Sequence, residues 1–259
     1  MIGLDTFSEF FSEHSGSYIV IGGAACDHYL AEFGFTYRQT DDIDMILVVE
    51  ALKPEFVERF WDFIEEGEYE VLQKGERNRY YCFKNPKKKG FPIRLELLSR
   101  TPDVISTAED ARFAPIPTEE ELESLSAILM DEEYYDFTIA NSSDENGLFR
   151  ANVFGLICLK AKAFLNLTAE RESGKTVHSV RINKHKNDVF RLTVTLTGED
   201  RTQLSEEIEQ DMKSFLDMME ADPPDTKQIL KEMGAPKVEA ETLITQLKES
   251  FNLATKETD

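Results

Sequence analysis

The chain has 259 residues, and its 50 acidic side chains outnumber its 29 basic ones to give a formal net charge of −21. A chain of this length can bury a sizeable core, in one large domain or in two ordinary ones. The acidic balance excludes a protein that holds nucleic acid through general surface charge, because such binding comes mainly from Lys and Arg neutralising phosphates. Any nucleotide must therefore be bound by a local group of basic residues or through metal ions.

The sequence also indicates a compartment. No apolar run approaches the roughly 20 residues that cross a bilayer, and the N-terminal segment MIGLDTFSEF lacks a basic stretch followed by an apolar one. We therefore expect a cytoplasmic protein that does not bind membranes. Cys26, Cys82 and Cys158 are far apart and show no C-x-x-C spacing. We expect them to be reduced core thiols and not zinc ligands or disulfide partners.

The N-terminal part of the chain is expected to alternate helices with strands. The apolar pattern predicts helix 4–13, strand 18–21, helix 24–33, strand 42–49 and helix 55–66. Gly22 and Gly23 open the second of these helices, and Gly34 suits its C-terminal cap. Pro54 suits the first turn of the third helix, because proline lacks an N–H that this position leaves unpaired in any case.

Strand patterns dominate the region that follows. They predict strands at residues 69–73, 79–84, 92–99, 125–130 and 134–139. The turn at residues 85–90 carries three lysines, which are most simply a solvated hairpin tip, with contact to a polyanionic substrate as the alternative. Three prolines between residues 101 and 117 indicate an irregular connection. The polar run 141–146, which precedes Gly147, is the best domain boundary in the chain.

Beyond that boundary the apolar pattern is helical. Helices are predicted at residues 152–169, 183–196, 202–220, 226–233 and 238–251. We therefore expect an α/β (α+β) domain with a mixed sheet over residues 1–145, followed by a C-terminal helical domain over residues 146–259. This layout favours a ligand cleft that both domains line.

Two aspartates at the start of the second strand are the first candidate site residues. Alternate side chains of a strand share a face, so Asp42 and Asp44 project together. Two neighbouring ionised carboxylates repel each other unless a cation offsets them. Magnesium suits them, since it prefers hard oxygen ligands and bridges carboxylates to substrate phosphates. The alternative is a pair of solvated acids at the edge of a strand.

A third carboxylate can join this pair. In the strand around Leu95 the odd-numbered residues form an apolar face, so Arg94 and Glu96 point the other way. If this strand lies beside the first, Glu96 completes a set of three carboxylates that could hold metal ions and support phosphoryl transfer.

The glycine pair suggests where a nucleotide could bind. Gly22 and Gly23 lack Cβ atoms, so the backbone can approach a triphosphate closely, and the helix that follows offers free N–H groups at its positive end. A Gly-Gly turn between a strand and a helix is often only a tight connection. Here the glycine pair indicates a nucleotide site because Asp42 and Asp44 follow it in the sequence.

This combination resembles the nucleotidyltransferase fold of the DNA polymerase β superfamily, and within it the AbiEii/AbiGii toxin-like nucleotidyltransferases. The glycine pair is followed, one helix and one loop later, by Arg38-x-Thr40-x-Asp42-x-Asp44. The superfamily usually has Gly-Ser where this chain has Gly-Gly, so one phosphate contact from a serine hydroxyl is missing. The resemblance implies that the glycines, Arg38 and Thr40 bind the nucleotide. It also implies that the aspartates and Glu96 are the catalytic and metal-binding residues.

The resemblance continues into the helical half. The family carries a lysine inside an apolar helix, and residues 153–165 have this form, with Lys160 and Lys162. The two lysines lie about 200° apart around a helix, so we expect one of them to bind the nucleotide phosphates. Its position in the motif favours Lys160. Asp188 matches the family's closing motif, which implies that it orients the lysine or contacts the nucleotide. The alternative for Asp188 is a local ion pair with Arg191.

The resemblance implies an enzyme that uses Mg²⁺ or Mn²⁺ to move an NMP from an NTP to a hydroxyl acceptor, which is RNA, a small molecule or a protein. It further implies a toxin of a toxin–antitoxin or phage-defence system, with a cognate antitoxin among its expected partners. Three alternatives stay open: a nucleotide-binding module without catalysis, a small-molecule adenylyltransferase, and an interaction protein whose acidic helices bind a partner.

Overall fold

The computed structural model describes residues 1–71, 80–98, 128 and 131–253. The chain divides into two compact units. The first, here called the sheet unit, combines Met1–His28 with Gln39–Asn152. The second, the helical unit, combines Tyr29–Arg38 with Val153–Asp259.

The described part of the sheet unit contains one mixed sheet. Its strands are β1 (Tyr18–Ile21), β2 (Asp42–Leu47), β3 (Glu70–Val71), β4 (Tyr80–Lys84), β5 (Arg94–Leu98), β6 (Ser142–Glu145) and β7 (Leu148–Ala151). They lie in the order β3-β4-β5-β2-β1-β7-β6. Strand β2 is antiparallel to β1 and parallel to β5, and β1 is parallel to β7. The predicted α/β class and mixed sheet are confirmed.

Helices α1 and α3 cover one face of this sheet with aromatic side chains. The helices that begin in the sheet unit are α1 (Leu4–Phe10), α2 (Gly22–Glu32), α3 (Pro54–Gly67) and α4 (Glu132–Ala140). Phe7 and Phe11 contact the ring of Tyr18 on β1, at centroid distances of 5.3 and 6.0 Å. Phe56 of α3 lies 6.2 Å from the same ring. All four rings are fully buried, so this face of the sheet is core, and Asp44, which is in register with Ile21, projects from the opposite face.

The predicted strand at residues 134–139 is wrong, because this region is helix α4. Asp131 caps the helix by accepting hydrogen bonds from the backbone N–H groups of Glu133 and Tyr134, at 2.9 and 3.2 Å. The N-cap and the acidic first turn stabilise a helix more than the aromatic residues favour a strand. The predicted strand 125–130, apart from Ile128, and the predicted connection 101–117 lie outside the described residues.

Residues 141–146, predicted as the domain boundary, instead supply strand β6. This strand forms an antiparallel hairpin with β7. Asn146 and Gly147 form its turn, with φ values of 53° and 82°. Through β7, which pairs with β1 at Val20 and Arg150, the hairpin extends the sheet. The sheet unit accordingly continues to Asn152, whereas the sequence places the domain boundary after residue 145.

The helical unit confirms the predicted C-terminal helical region. Its helices are α5 (Val153–Glu172), α6 (Ser179–Thr193), α7 (Glu206–Ala221), α8 (Thr226–Met233) and α9 (Ala240–Ser250). Phe164 of α5 packs edge to face on Phe215 of α7, with the ring centroids 5.4 Å apart. The segment Tyr29–Arg38 contacts the rest of this unit: for example, the backbone N–H of Thr36 donates to the carbonyl of Met233 at 3.0 Å, and the hydroxyl of Tyr29 lies 2.8 Å from that of Thr195. Among the described helices, none has the length and apolarity that a bilayer crossing requires.

Candidate functional site

The three predicted carboxylates lie along the polar face of the sheet. Strands β2 and β5 run side by side with Asp42 opposite Arg94 and Asp44 opposite Glu96. Residues in direct cross-strand register present their side chains on the same face. The structure therefore places Asp42, Asp44 and Glu96 together, as the sequence expects, and adds Arg94 to the group. These four residues are called the carboxylate cluster below.

Glu96 is the most buried member of the carboxylate cluster. Only 4% of the residue is exposed, whereas Asp42 and Asp44 are half-buried. Burial, followed by the charge of Asp44, raises the pKa of Glu96 far above its ordinary value, and Arg94 opposes this rise only in part. Glu96 also shares a side-chain hydrogen bond with Asp44. The cluster is thus a site of concentrated negative charge, which either a proton or a cation relieves.

Arg94 supplies a positive charge inside the cluster. Its guanidinium forms an ion pair with Glu96, and its Nε donates to the Sγ of Cys82 at 3.4 Å. Burial alone lowers the pKa of Arg94, but the charge of Glu96 outweighs this and raises it. The sequence placed Arg94 on the polar face without a role. The i, i+2 spacing of Arg94 and Glu96 on one strand could have indicated the pair.

The two glycines let the first turn of α2 approach the cluster. Gly22 has a φ of 68°, and a Cβ atom there would lie 1.9 Å from Oδ2 of Asp44. A Cβ atom on Gly23 would lie 2.5 Å from Oγ1 of Thr40. The positive φ and the contact with Asp44 together favour glycine at position 22, and a Cβ atom at position 23 would require the side chain of Thr40 to move. Gly22, Gly23, Thr40 and Asp44 therefore come together in the sheet unit.

We predict that Gly22→Ala destabilises the protein by about 1–3 kcal/mol, because it combines left-handed backbone with a clash against Asp44. Urea unfolding gives the difference. Gly16→Ala is the matched control, since Gly16 is exposed and a Cβ atom there meets nothing within 4 Å. It should change stability by less than about 0.5 kcal/mol. Equal costs for the two variants would contradict the close packing of Gly22 on Asp44.

In the helical unit, Asp188 is fully buried and surrounded by donors. It accepts hydrogen bonds from Tyr37 Oη at 2.7 Å, Lys160 Nζ at 2.9 Å, Arg38 Nη2 at 3.1 Å and Arg191 Nη1 at 3.1 Å. Burial alone raises the pKa of Asp188, but the charges of Lys160 and Arg38 outweigh it and hold this pKa well below its usual range. These five residues are called the Asp188 cluster below.

Three predicted site residues lie together in the Asp188 cluster, and a fourth, Lys162, lies outside it. Lys160 and Arg38 both contact Asp188. Lys162 lies on another side of α5, where its Nζ is 2.6 Å from Oδ2 of Asp211 on α7. The local pair of Asp188 with Arg191 also forms, so this alternative and the lysine contact coexist. The sequence did not indicate Tyr37, although it adjoins Arg38.

His185 borders the Asp188 cluster. It is 8% exposed, and its Nδ1 has no hydrogen-bond partner among the described residues. Burial, followed by the charge of Lys160, lowers its pKa well below the ordinary value. The lowered pKa favours the neutral form of the imidazole at pH 7.

No group of three or more His, Cys, Asp or Glu side chains is arranged to hold a metal ion in the part of the chain that the structure describes. The chemistry of the carboxylate cluster nevertheless fits a hard divalent cation. Asp42 and Asp44 offer carboxylate oxygens, and the buried carboxyl of Glu96 lies beside them. These aspartates are the residues that would hold such an ion.

Comparisons of the chain with protein-family models, with characterised proteins and with solved structures found no match. Function is therefore inferred from the side chains and their surroundings.

Proposed function

We propose that the protein is a magnesium-dependent nucleotidyltransferase with the nucleotidyltransferase fold. It moves an NMP from an NTP to an acceptor hydroxyl and releases pyrophosphate. The observation that carries this proposal is the packing of the Gly22 turn directly on Asp44, beside Glu96 on the neighbouring strand. The turn, whose residues lack side chains, provides a binding site for phosphates. The clustered carboxylates beside it provide a binding site for cations.

The carboxylates divide the chemistry between them. Asp42 and Asp44 would hold magnesium, and a bound ion supplies electrostatic stabilisation of the charge that develops on the transferred phosphoryl group. Glu96 is the third ligand or the general base. Burial and then the charge of Asp44 raise its pKa; a cation bound on the aspartates would lower this pKa again and leave the carboxylate able to accept a proton from a hydroxyl.

The glycine turn is proposed to seat the triphosphate. Gly22 and Gly23 begin helix α2, whose first N–H groups have no partner within the helix and carry partial positive charge. Thr40 lies against Gly23 and adds a hydroxyl to the same turn. Nucleotide contacts by Arg38, Lys160, Lys162 and Asp188 stay predictions. Asp188 is already saturated by protein donors, which favours its role in orienting Lys160.

We expect label from an α-³²P NTP, but not from a γ-³²P NTP, to become attached to an acceptor. The assay incubates the protein with Mg²⁺ and a cell extract, and then separates RNA, protein and small molecules. Transfer of the α-label with release of pyrophosphate identifies nucleotidyl transfer, because the γ-phosphate leaves with the pyrophosphate. Transfer of the γ-label would indicate a kinase instead and contradict the proposal. The labelled fraction identifies the acceptor.

One observation favours a second candidate, a nucleotide-binding module without catalysis. Arg94 is paired with Glu96, so the third carboxylate is partly neutralised before any cation arrives. Calorimetry of NTP binding in the presence and absence of EDTA separates the two candidates, since unchanged affinity in EDTA would favour the module. A toxin role and a cognate antitoxin partner stay predictions.

A further inference from the structure

Three consecutive residues shortly before β2 are held by the helical unit. The backbone N–H of Thr36 donates to the carbonyl of Met233 at 3.0 Å. The hydroxyl of Tyr37 donates to Oδ2 of Asp188 at 2.7 Å. Arg38 donates to both carboxylate oxygens of Asp188, from Nε to Oδ1 at 3.3 Å and from Nη2 to Oδ2 at 3.1 Å. Hydrogen bonds from three successive residues therefore fix this stretch of chain.

Tyr37 and Arg38 also support each other. The guanidinium of Arg38 lies over the ring of Tyr37, 4.8 Å from its centroid, and Tyr37 is only 6% exposed. Asp188 is fully buried, so its hydrogen bonds are strengthened by charge and by the exclusion of water. The fork of the guanidinium matches the two carboxylate oxygens, which fixes its orientation as well as its distance. Tyr37 and Arg38, bound to Asp188, are called the anchor below.

A single residue separates the anchor from the candidate site. Gln39 stands between Arg38 and Thr40, and the side chain of Thr40 packs against Gly23. Asp42, two residues further on, begins β2. The backbone spans at most about 3.6 Å per residue, so the Cα atoms of Arg38 and Thr40 are no more than about 7 Å apart. A shift of the anchor is therefore passed along the backbone to Thr40 and Asp42.

We propose that Tyr37 is a positioning residue for the carboxylate cluster: by holding the anchor on Asp188, it fixes the start of β2 and with it Thr40 and Asp42. This inference deepens the proposed function, on whose site residues it rests. It assigns the guanidinium of Arg38 to the same task, because that group donates to a buried carboxylate. Tyr37 acts through the backbone and not by contact with the reacting groups.

The test measures amide hydrogen exchange by NMR in the wild type and in Tyr37→Phe, which keeps the ring and removes the hydroxyl. Exchange at the start of β2, over Asp42–Asp44, should accelerate at least about fivefold more than exchange in β1 (Tyr18–Ile21), because opening of this strand end no longer breaks a hydrogen bond to a charged group. Both strands belong to the sheet unit. A general loss of stability would accelerate both equally and leave the ratio of their rates unchanged.

The transfer assay gives a second measurement. Tyr37→Phe should lower kcat at least about tenfold, because a small displacement of the aspartates impairs the chemical step. KM for the NTP should stay within about threefold of the wild type, since the substitution leaves the proposed phosphate site at Gly22 and Gly23 in place. A merely structural role would lower the amount of folded protein and leave kcat per folded molecule unchanged.

Tyr29→Phe is the matched control. The hydroxyl of Tyr29 lies 2.8 Å from that of Thr195, but Tyr29 belongs to α2 and not to the residues that lead into β2. This variant should leave the exchange ratio and kcat within about twofold of the wild type, since one surface-accessible hydrogen bond contributes little. Arg38→Lys keeps the charge but loses the paired bonds to Asp188. It should resemble Tyr37→Phe, and it is measured in its place if Tyr37→Phe does not fold.

Two exchange results would overturn the inference: a ratio in Tyr37→Phe equal to that of the wild type, or the same change of ratio in Tyr29→Phe. Exchange does not depend on turnover. A wild type that transfers no label but shows the expected exchange pattern therefore contradicts the proposed reaction and leaves the anchor standing. A wild type that transfers label, together with an unchanged kcat in Tyr37→Phe, contradicts the positioning role and leaves the reaction standing.

Discussion

Asp188→Asn is expected to destabilise the protein by about 3–5 kcal/mol, as measured by urea unfolding. The substitution keeps the shape of the side chain but removes the one negative charge that Lys160, Arg38 and Arg191 share. Lys160 and Arg191 have 6% and 7% of their side chains exposed, so water cannot replace the lost counter-charge. The variant therefore removes the buried carboxylate that Lys160 contacts, and it leaves Arg191 paired with Glu232 at 3.2 Å.

A second lysine–aspartate pair from the same helix provides the control. Lys162 and Asp211 are 2.6 Å apart, with side chains 18% and 21% exposed. Asp211→Asn should cost no more than about 1 kcal/mol, because solvent screens this pair. Adding Lys160→Met to Asp188→Asn should recover part of the loss, since it removes one buried positive charge. Equal losses of stability in Asp188→Asn and Asp211→Asn, or no recovery in the double variant, would show that Asp188 is not the shared counter-charge of the cluster.

The same carboxylate sets an acid limit on stability. The folded-state pKa of Asp188 is held well below its ordinary value, so the unfolded chain takes up the proton first as the pH falls. The stabilisation is fully present above the unfolded-state pKa of about 3.9 and is lost at pH values below it. Asp188→Asn should therefore flatten the pH dependence of stability below about pH 5.

Asp44→Asn is expected to have opposite effects on stability and on function. In the metal-free protein it removes a like charge beside Glu96, which should raise the free energy of unfolding by about 1 kcal/mol. It also removes a cation ligand, so added Mn²⁺ should no longer stabilise the protein through binding to the folded state. Label transfer should fall by about 10²–10³-fold, the scale on which loss of one electrostatic group acts.

Asp41→Asn is the matched control, because Asp41 precedes β2 and interacts with Gln39 at 3.4 Å. It should change the stability in the absence of metal, the stabilisation by Mn²⁺ and the transfer rate only slightly. A purely structural Asp44 would behave otherwise. In that case Asp44→Asn would destabilise the protein and leave the gain in stability from Mn²⁺ intact.

Much of the fold could be predicted from the local sequence pattern. The elements that differ from the prediction depend on a helix cap or on pairing between segments far apart in sequence. The apolar runs at Tyr18–Ile21 and Asp42–Leu47 are strands as predicted, because a fully or half-buried strand needs such residues whatever its neighbours. Helix α4 was missed because one side-chain cap at Asp131 decided it. Strand β6, of sequence SSDE, has no apolar alternation and exists only through its pairing with β7.

The candidate site could likewise be predicted only in part from local sequence pattern. Alternation along a strand placed Asp42 with Asp44 and Glu96 with Arg94. The register of β2 against β5, which brings these pairs together, depends on contacts far apart in sequence. Arg38 was linked to the glycine motif by its position in the sequence, yet its guanidinium contacts Asp188. No local pattern predicts that partner, since the two residues are 150 positions apart.

The most direct test of a metal-dependent nucleotidyl-transfer site is α-³²P transfer by the wild type and by the double variant Asp42→Asn with Asp44→Asn, each with Mg²⁺ and the same extract. We predict that the wild type labels an acceptor, that EDTA abolishes the labelling, and that the folded double variant gives none. Labelling by the double variant at the wild-type rate would contradict the assignment of the aspartates and, with it, the proposed site.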